Sequence, residues 1–307
     1  MAGFRRAMAI KGRLAQAAAA ALGVLAVGPA LASTPAADLF YERAVMTAAD
    51  GACRLFAPDV GVALAASKAQ ARGAALRSGE DPASLAALEA QAGANGAAGC
   101  QSANIAAAAQ QVRSAFAGYA HLDHMDFPGE FASWLAERPA SDAETRWHAS
   151  QRARFGWDVM LFGLAGHGAD RPLTAVTSFA DGAQPYGARL VLRDADATSG
   201  PYLDARQADI DGRIPIDGRL PPRASSRVFQ AGEMTAADKA LLPSDMPSAW
   251  SFQFPRAAAD ALAQLDPRET VAVEFLFAAV GHDVVRTAYV EVGDFAAGRA
   301  FLTTAPR

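Results

Sequence analysis

The sequence predicts an α+β protein: an N-terminal disulfide-stapled helical bundle followed by an antiparallel β-sandwich with short helical insertions. Three observations predict it. Alanine dominates residues 33–126, which hold no tryptophan, whereas Trp134, Trp147, Trp157, Trp250 and most phenylalanines follow the Phe127-Pro128-Gly129 step. Two cysteines, Cys53 and Cys100, both fall in the alanine-rich part. Seven short β-branched or aromatic runs, separated by Gly, Pro and Asp turns, fill the remainder. The expected organisation is a leader over 1–32, a helical domain over 33–126 and a β-sandwich-like domain over 127–307.

The leader has the order of a secretory signal. Arg5, Arg6, Lys11 and Arg13 make a basic, acid-free start, Leu14 to Val27 is uncharged and apolar, and Ala30-Leu31-Ala32 offers small residues for cleavage before Ser33. The rival, a retained membrane anchor, suffers from an apolar run short of a bilayer's thickness. Arg5-Arg6 permits either the twin-arginine or the general secretory route. Export places the chain in the periplasm or outside the cell, where an even cysteine pair reads as a disulfide, Cys53 to Cys100, rather than as reactive or metal-binding thiols.

Four helices are expected. Asp38 to about Phe56 sets Leu39, Met46 and Cys53 on one stripe; Pro58 opens a second helix to about Arg77; Asp81-Pro82 opens a third, ending at Gly93-Ala94-Asn95-Gly96; Ser102 to about Tyr119 is the fourth. The expected strands are Phe155–Leu164, Leu173–Phe179, Tyr186–Arg193, Ser226–Phe229, Trp250–Phe254, Thr270–Phe277 and Val284–Val292, with a hairpin tip at Gly281-His282-Asp283. Helical insertions are expected over Thr235–Leu242, Pro255–Leu265 and Asp294–Leu302, with Thr235 and Asp294 as N-caps.

Charge excludes some partners. The chain carries 28 basic and 32 acidic residues; without the leader's four cations the balance is 24 against 32, or −8. Nucleic acid and anionic membrane surfaces both call for cationic patches, so neither is an expected partner, and no stable membrane insertion is expected after leader cleavage. The whole chain averages 51% hydrophobic residues, which excludes wholesale disorder.

The candidate chemistry is sparse. His121-Leu122-Asp123-His124-Met125-Asp126 sits at the expected end of the fourth helix, where His121 and His124 would share a face and Asp126 would complete a divalent metal site. The competing reading is a solvated helix end, where histidines suit the macrodipole. Asp194 to Gly200 begins like a calcium loop, but its glycine is one place late and Ala205 stands where glutamate is needed. Interleaved arginines favour a self-neutralised surface loop there. Within it the repeat Ile-Asp-Gly-Arg-Ile-Pro and Ile-Asp-Gly-Arg-Leu-Pro, with Asp211, Arg213, Asp217 and Arg219, reads as an exposed loop or edge ribbon and a possible interaction loop. His148, His167 and His282 would form an acid/base site only if the fold gathered them. No GxSxG, SxxK, P-loop or GxGxxG pattern occurs.

The closing run Tyr289-Val290-Glu291-Val292-Gly293-Asp294-Phe295-Ala296-Ala297-Gly298-Arg299-Ala300-Phe301-Leu302, preceded by a helix and a hairpin, is similar to the tail of the invasion-associated locus B family of exported sandwich proteins. The resemblance covers roughly the last fifty residues, and the cysteines that family carries in its sandwich are missing, so it implies an exported sandwich and carries over no functional residue. The pattern as a whole resembles uncharacterised exported proteins of GC-rich bacteria. These observations point to an exported periplasmic or envelope protein that acts without catalysis, by binding an envelope protein or a small ligand, with no cofactor expected. The alternative is a periplasmic hydrolase or metalloenzyme using the histidines and aspartates. Intact-mass measurement of the exported protein is expected to find Ser33 first; a chain keeping Met1 in the membrane fraction would refute the leader.

Overall fold

The computed structural model describes residues 34–303, apart from 139–142, 169 and 233. The expected leader and its cleavage point lie outside the described residues. Helices α1 (Pro35–Cys53), α2 (Pro58–Arg77), α3 (Pro82–Ala98) and α4 (Ala103–Ala120) come first. Local chemistry starts each of them. Thr34 and Asp81 cap α1 and α3 through their side-chain oxygens, with Pro35 and Pro82 immediately after; Ser102 caps α4. Phe40, Ala75, Leu76 and Leu85 make the core between α1, α2 and α3, and Arg43 reaches from α1 to the Ser67 carbonyl of α2 at 2.7 Å. Leu39, expected in that core, is exposed, and Phe40 beside it is fully buried.

α3 does not stop at its glycines. It runs through Gly93 to Gly96 because Gly96 lies against the Val45 carbonyl and Ala48 of α1, where a Cβ would collide. The glycine there permits close helix approach rather than a break. The Cys53–Cys100 disulfide, with Cα atoms 5.6 Å apart, ties the end of α1 to the turn before α4. Closing a loop of this sequence separation removes about 4 kcal/mol of denatured-state chain entropy.

Among the described residues eleven strands form two antiparallel sheets. They are β1 (His124–Phe127), β2 (Trp134–Glu137), β3 (Arg146–Phe155), β4 (Asp158–Gly166), β5 (Leu173–Ser178), β6 (Gly187–Arg193), β7 (Ser226–Gln230), β8 (Thr235–Ala236), β9 (Trp250–Gln253), β10 (Thr270–Ala278) and β11 (Asp283–Glu291). One sheet has the order β1-β2-β3-β4-β5-β9-β8 and the other β11-β10-β6-β7. Their inner faces share one core, in which Phe155 of the first sheet stacks on Phe275 of the second at 5.7 Å and Phe252 meets the same ring at 5.5 Å. Each fully buried phenylalanine contributes about 1.5–3 kcal/mol. Two helices close the sandwich, α5 (Arg256–Leu262) and α6 (Phe295–Thr303).

Several expectations are corrected. The expected strand Phe155–Leu164 is β4 with a later start, because Gly156, at φ +63°, turns the chain after Phe155, which closes β3. Strands β1, β2, β3 and β8 were not expected, and Thr235–Leu242 is the short strand β8 followed by a 3-10 turn at Lys239–Leu241 rather than a helix. Asp294 precedes α6 as expected, but its carboxylate pairs with Arg77 of α2, at 2.9 and 3.1 Å.

The described residues pack as one unit. Buried arginines take part in joining the four N-terminal helices to the sandwich. Arg77 and Asp294 link α2 to the start of α6; burial pushes the Asp294 carboxyl up, against the pull of Arg77. Arg138, just after β2, is buried and donates from Nε to Phe301 O at 2.9 Å and from Nη1 to the carbonyls of Tyr119, Ala120 and Leu122 at 3.0, 3.4 and 3.2 Å. One cation thus serves the negative ends of α4 and α6. Replacing Arg138 with Met keeps the stem but strands those carbonyls, and urea unfolding is expected to show a loss of about 2–4 kcal/mol. Arg138→Lys is expected to restore less than half, since one ammonium cannot span both helix ends.

Candidate functional site

The residues singled out from sequence do not assemble as one site. His121 is the C-cap of α4, while His124 and Asp126 lie on β1, paired with Glu137 and Leu135 across the strand. The chain leaves the helix at His121, so the shared helical face expected for His121 and His124 does not exist. Among the described residues no group of three or more His, Cys, Asp or Glu is placed to hold a metal ion. His148 is buried on β3 with its Nε2 3.2 Å from Gly166 O, a packing position. His167 follows the end of β4, whereas His282 sits on the hairpin tip beside the opposite end, where Arg286 of β11 pairs with Asp158 at the start of β4. Asp181 shares Arg286, whose hydrogen bonds pull the Asp181 carboxyl down to about 2.

The repeat loop is docked rather than free. Its two Ile-Asp-Gly-Arg copies take different conformations. The first is an exposed turn with Gly212 at φ +79° and Asp211 in solvent; the second forms a 3-10 turn over Asp217–Arg219 in which Gly218 and Arg219 are buried. Both arginines turn to Glu130, far away in sequence: Arg213 Nε donates to Oε1 at 2.9 Å and Arg219 Nη1 to Oε2 at 2.6 Å. The two guanidiniums also cover the Phe131 ring, 4.8 and 4.6 Å from its centroid. The expectation of an exposed ribbon is therefore corrected for Arg219. The Glu130–Phe131 segment is itself held from below, because the buried Glu291 carboxylate accepts from the backbone N–H groups of Glu130, Phe131 and Ala132 at 2.6, 2.7 and 3.0 Å. The expected self-neutralisation of this stretch holds for Arg206 and Asp204, whereas Arg193 pairs with Glu269, Arg213 and Arg219 pair with Glu130, and Asp194 and Asp196 both meet Arg227 from β7.

A cleft of about 330 Å³ opens in the helical part. Its floor is Val60, Phe116 and Ala120, all buried, from α2 and α4. Phe56, in the link between α1 and α2, forms one wall, and Ala57 and Ala117 complete it. Arg113, Phe116, Ala117, Ala120 and His121 recur at helical spacing, so one face of α4 lines the cleft along its length. Two polar side chains reach it, Arg113 and His121. The Arg113 guanidinium lies 5.6 Å from the Phe56 ring centroid and donates to Leu55 O at 2.9 Å and Gln110 Oε1 at 3.4 Å. Among the described residues it has no carboxylate partner, and no carboxylate lines the cleft. The position of His121 here is the one point where a residue singled out from sequence meets this cavity. The apolar pattern of α4 was legible, but not that Phe56 and Val60 would face it.

A second cleft, of about 130 Å³, lies between α2, α5 and α6 and contains Asp294, already committed to Arg77. No family model, curated protein or solved structure matches this chain.

The docked loop has a pH signature. Burial pushes the Glu130 carboxyl up, but hydrogen bonds from Arg219 and Arg213 outweigh it and hold the carboxyl below its ordinary 4.5. A folded value below the unfolded one contributes stability that is fully present above pH 4.5 and is lost as the pH falls through the lowered value. Glu130→Gln is expected to lower the urea stability by about 1–2 kcal/mol at pH 7, with the gap to the native chain closing as the pH falls through that lowered value. At neutral pH, trypsin is expected to cut after Arg219 in the variant and not in the native protein.

Proposed function

We propose that this protein is an exported, non-catalytic binding protein of the cell envelope, and that its ligand enters the cleft between α2 and α4. The cleft carries the proposal: an apolar floor and wall with two polar side chains at its edge suits capture and orientation of a ligand. The Cys53–Cys100 disulfide supports residence in an oxidising compartment, the periplasm or the medium. Among the described residues no helix is long and apolar enough to cross a membrane, which agrees with a protein released after leader cleavage. The separation of His167 from His282, and the burial of His148 against a backbone carbonyl, favour binding over a hydrolase built on those histidines.

The neutral reporter dye Nile red tests the cleft directly. Its emission is expected to rise on addition of the purified mature protein and to fall to the free-dye level with Ala117→Trp, which fills the cleft from an exposed position on α4. Circular dichroism checks that the variant keeps its helices. Equal emission with a folded Ala117→Trp would move the binding surface elsewhere.

A further inference from the structure

We infer that the cleft takes a medium-chain aliphatic carboxylate, with the tail along α4 and the carboxylate on Arg113. The inference rests on the binding reading above and specifies its ligand. Shape comes first. The lining positions run from Arg113 to His121 on one helix face, about 12 Å at the helical rise, which is the length of an extended chain of about ten carbons. A volume of about 330 Å³ sits at the lower end of small-ligand pockets. Phe56, Val60, Phe116 and Ala120 offer ring faces and methyl groups and no hydrogen-bonding side chain, so most of the ligand must be hydrocarbon.

Charge then fixes the head group. Arg113 spends two donors, on Leu55 O and Gln110 Oε1, which leaves three of its five N–H groups. Several arginines of this chain meet carboxylates, as Arg77 does Asp294, Arg193 does Glu269 and Arg219 does Glu130, while the buried Arg138 is satisfied by backbone carbonyls. Arg113 stands at the mouth of an apolar slot without one, and a planar carboxylate is the group its fork matches. A cationic head group would leave those donors unused, and a neutral hydroxyl would accept from them with one oxygen and without the charge of a bidentate pair. The net charge of −8 without the leader disfavours anions elsewhere on the surface, so the local cation confers the selectivity.

The test is calorimetric titration of the full mature protein with decanoate, decanol and decyltrimethylammonium at matched ionic strength. Decanoate is expected to bind one per chain and at least about tenfold tighter than decanol, with the ammonium weakest. Arg113→Gln, on an exposed helix position, is expected to bring the decanoate-to-decanol ratio close to one. Equal affinities in the native protein would overturn the carboxylate assignment and leave the binding cleft standing. Failure of all three ligands, together with failure of Nile red, would overturn both. Flotation with phosphatidylglycerol vesicles without decanoate binding would point to a lipid surface and also overturn the assignment.

Discussion

Arg138 is the contact on which the arrangement of this protein depends. A guanidinium withdrawn from water normally finds a carboxylate; here it finds the last carbonyls of α4 and a carbonyl in the last turn of α6, and it packs against the Phe301 ring 3.6 Å from its centroid. Burial pushes its pKa down, against the pull of Tyr119 and Asp123, and the summed dipoles of two helices stand where a carboxylate hydrogen bond would otherwise be. Because α4 belongs to the helical part and α6 caps the sandwich, this residue fixes where the two meet. Tyr119 and Phe301, at 5.4 Å and edge to face, pack in the same place. The orientation of α4, and hence the shape of the cleft on its outer face, follows from this joint.

Within the sandwich a series of Arg–carboxylate pairs performs the same task for irregular chain. Arg193 and Glu269 are both buried and joined at 2.6 and 3.1 Å, and Glu269 accepts in addition from the backbone of Tyr202 and Asp266. Glu274 holds Arg189 at 2.6 Å and also Arg223. The long connection from β6 to β7 contains no strand, so its backbone has no ladder to join; these acids and Glu130 supply its anchors. Such pairs contribute modestly to net stability once desolvation is counted, but removing either partner is expensive, which restricts the connection to one conformation.

Much of the architecture was legible because it is written in local chemistry. Thr34-Pro35, Asp81-Pro82 and Ser102 announce helix starts, the cysteines announce the staple, and β-branched or aromatic runs between turn residues announce β5, β6, β10 and β11. Strand β3 escaped because its inward positions include His148 and Gln151 among arginines, so its pattern does not alternate in hydrophobicity. Strand β1 escaped because His124 and Asp126 look like ligands when read alone, although Phe127 beside them is buried in the core. Glu130 gave no signal at all: its role depends on Arg213 and Arg219 arriving from across the chain. Likewise α4 disclosed its apolar face, but only the fold brings Phe56 and Val60 to it.

The short strands at the margins have a consequence for life at high concentration. β8 is two residues long and β1 four, so the larger sheet ends on both sides in edges too short to template another strand. In the smaller sheet, the last residue of β11 is capped by Gln151 of β3, whose amide bonds the Glu291 backbone in both directions, at 3.0 and 3.2 Å. β7 carries Arg227 with its pair of aspartates. A second copy meeting the larger sheet in a crowded compartment finds no long flat edge to extend, so any growth by strand addition is confined to the exposed Asp283–Val285 end of β11 in the smaller one.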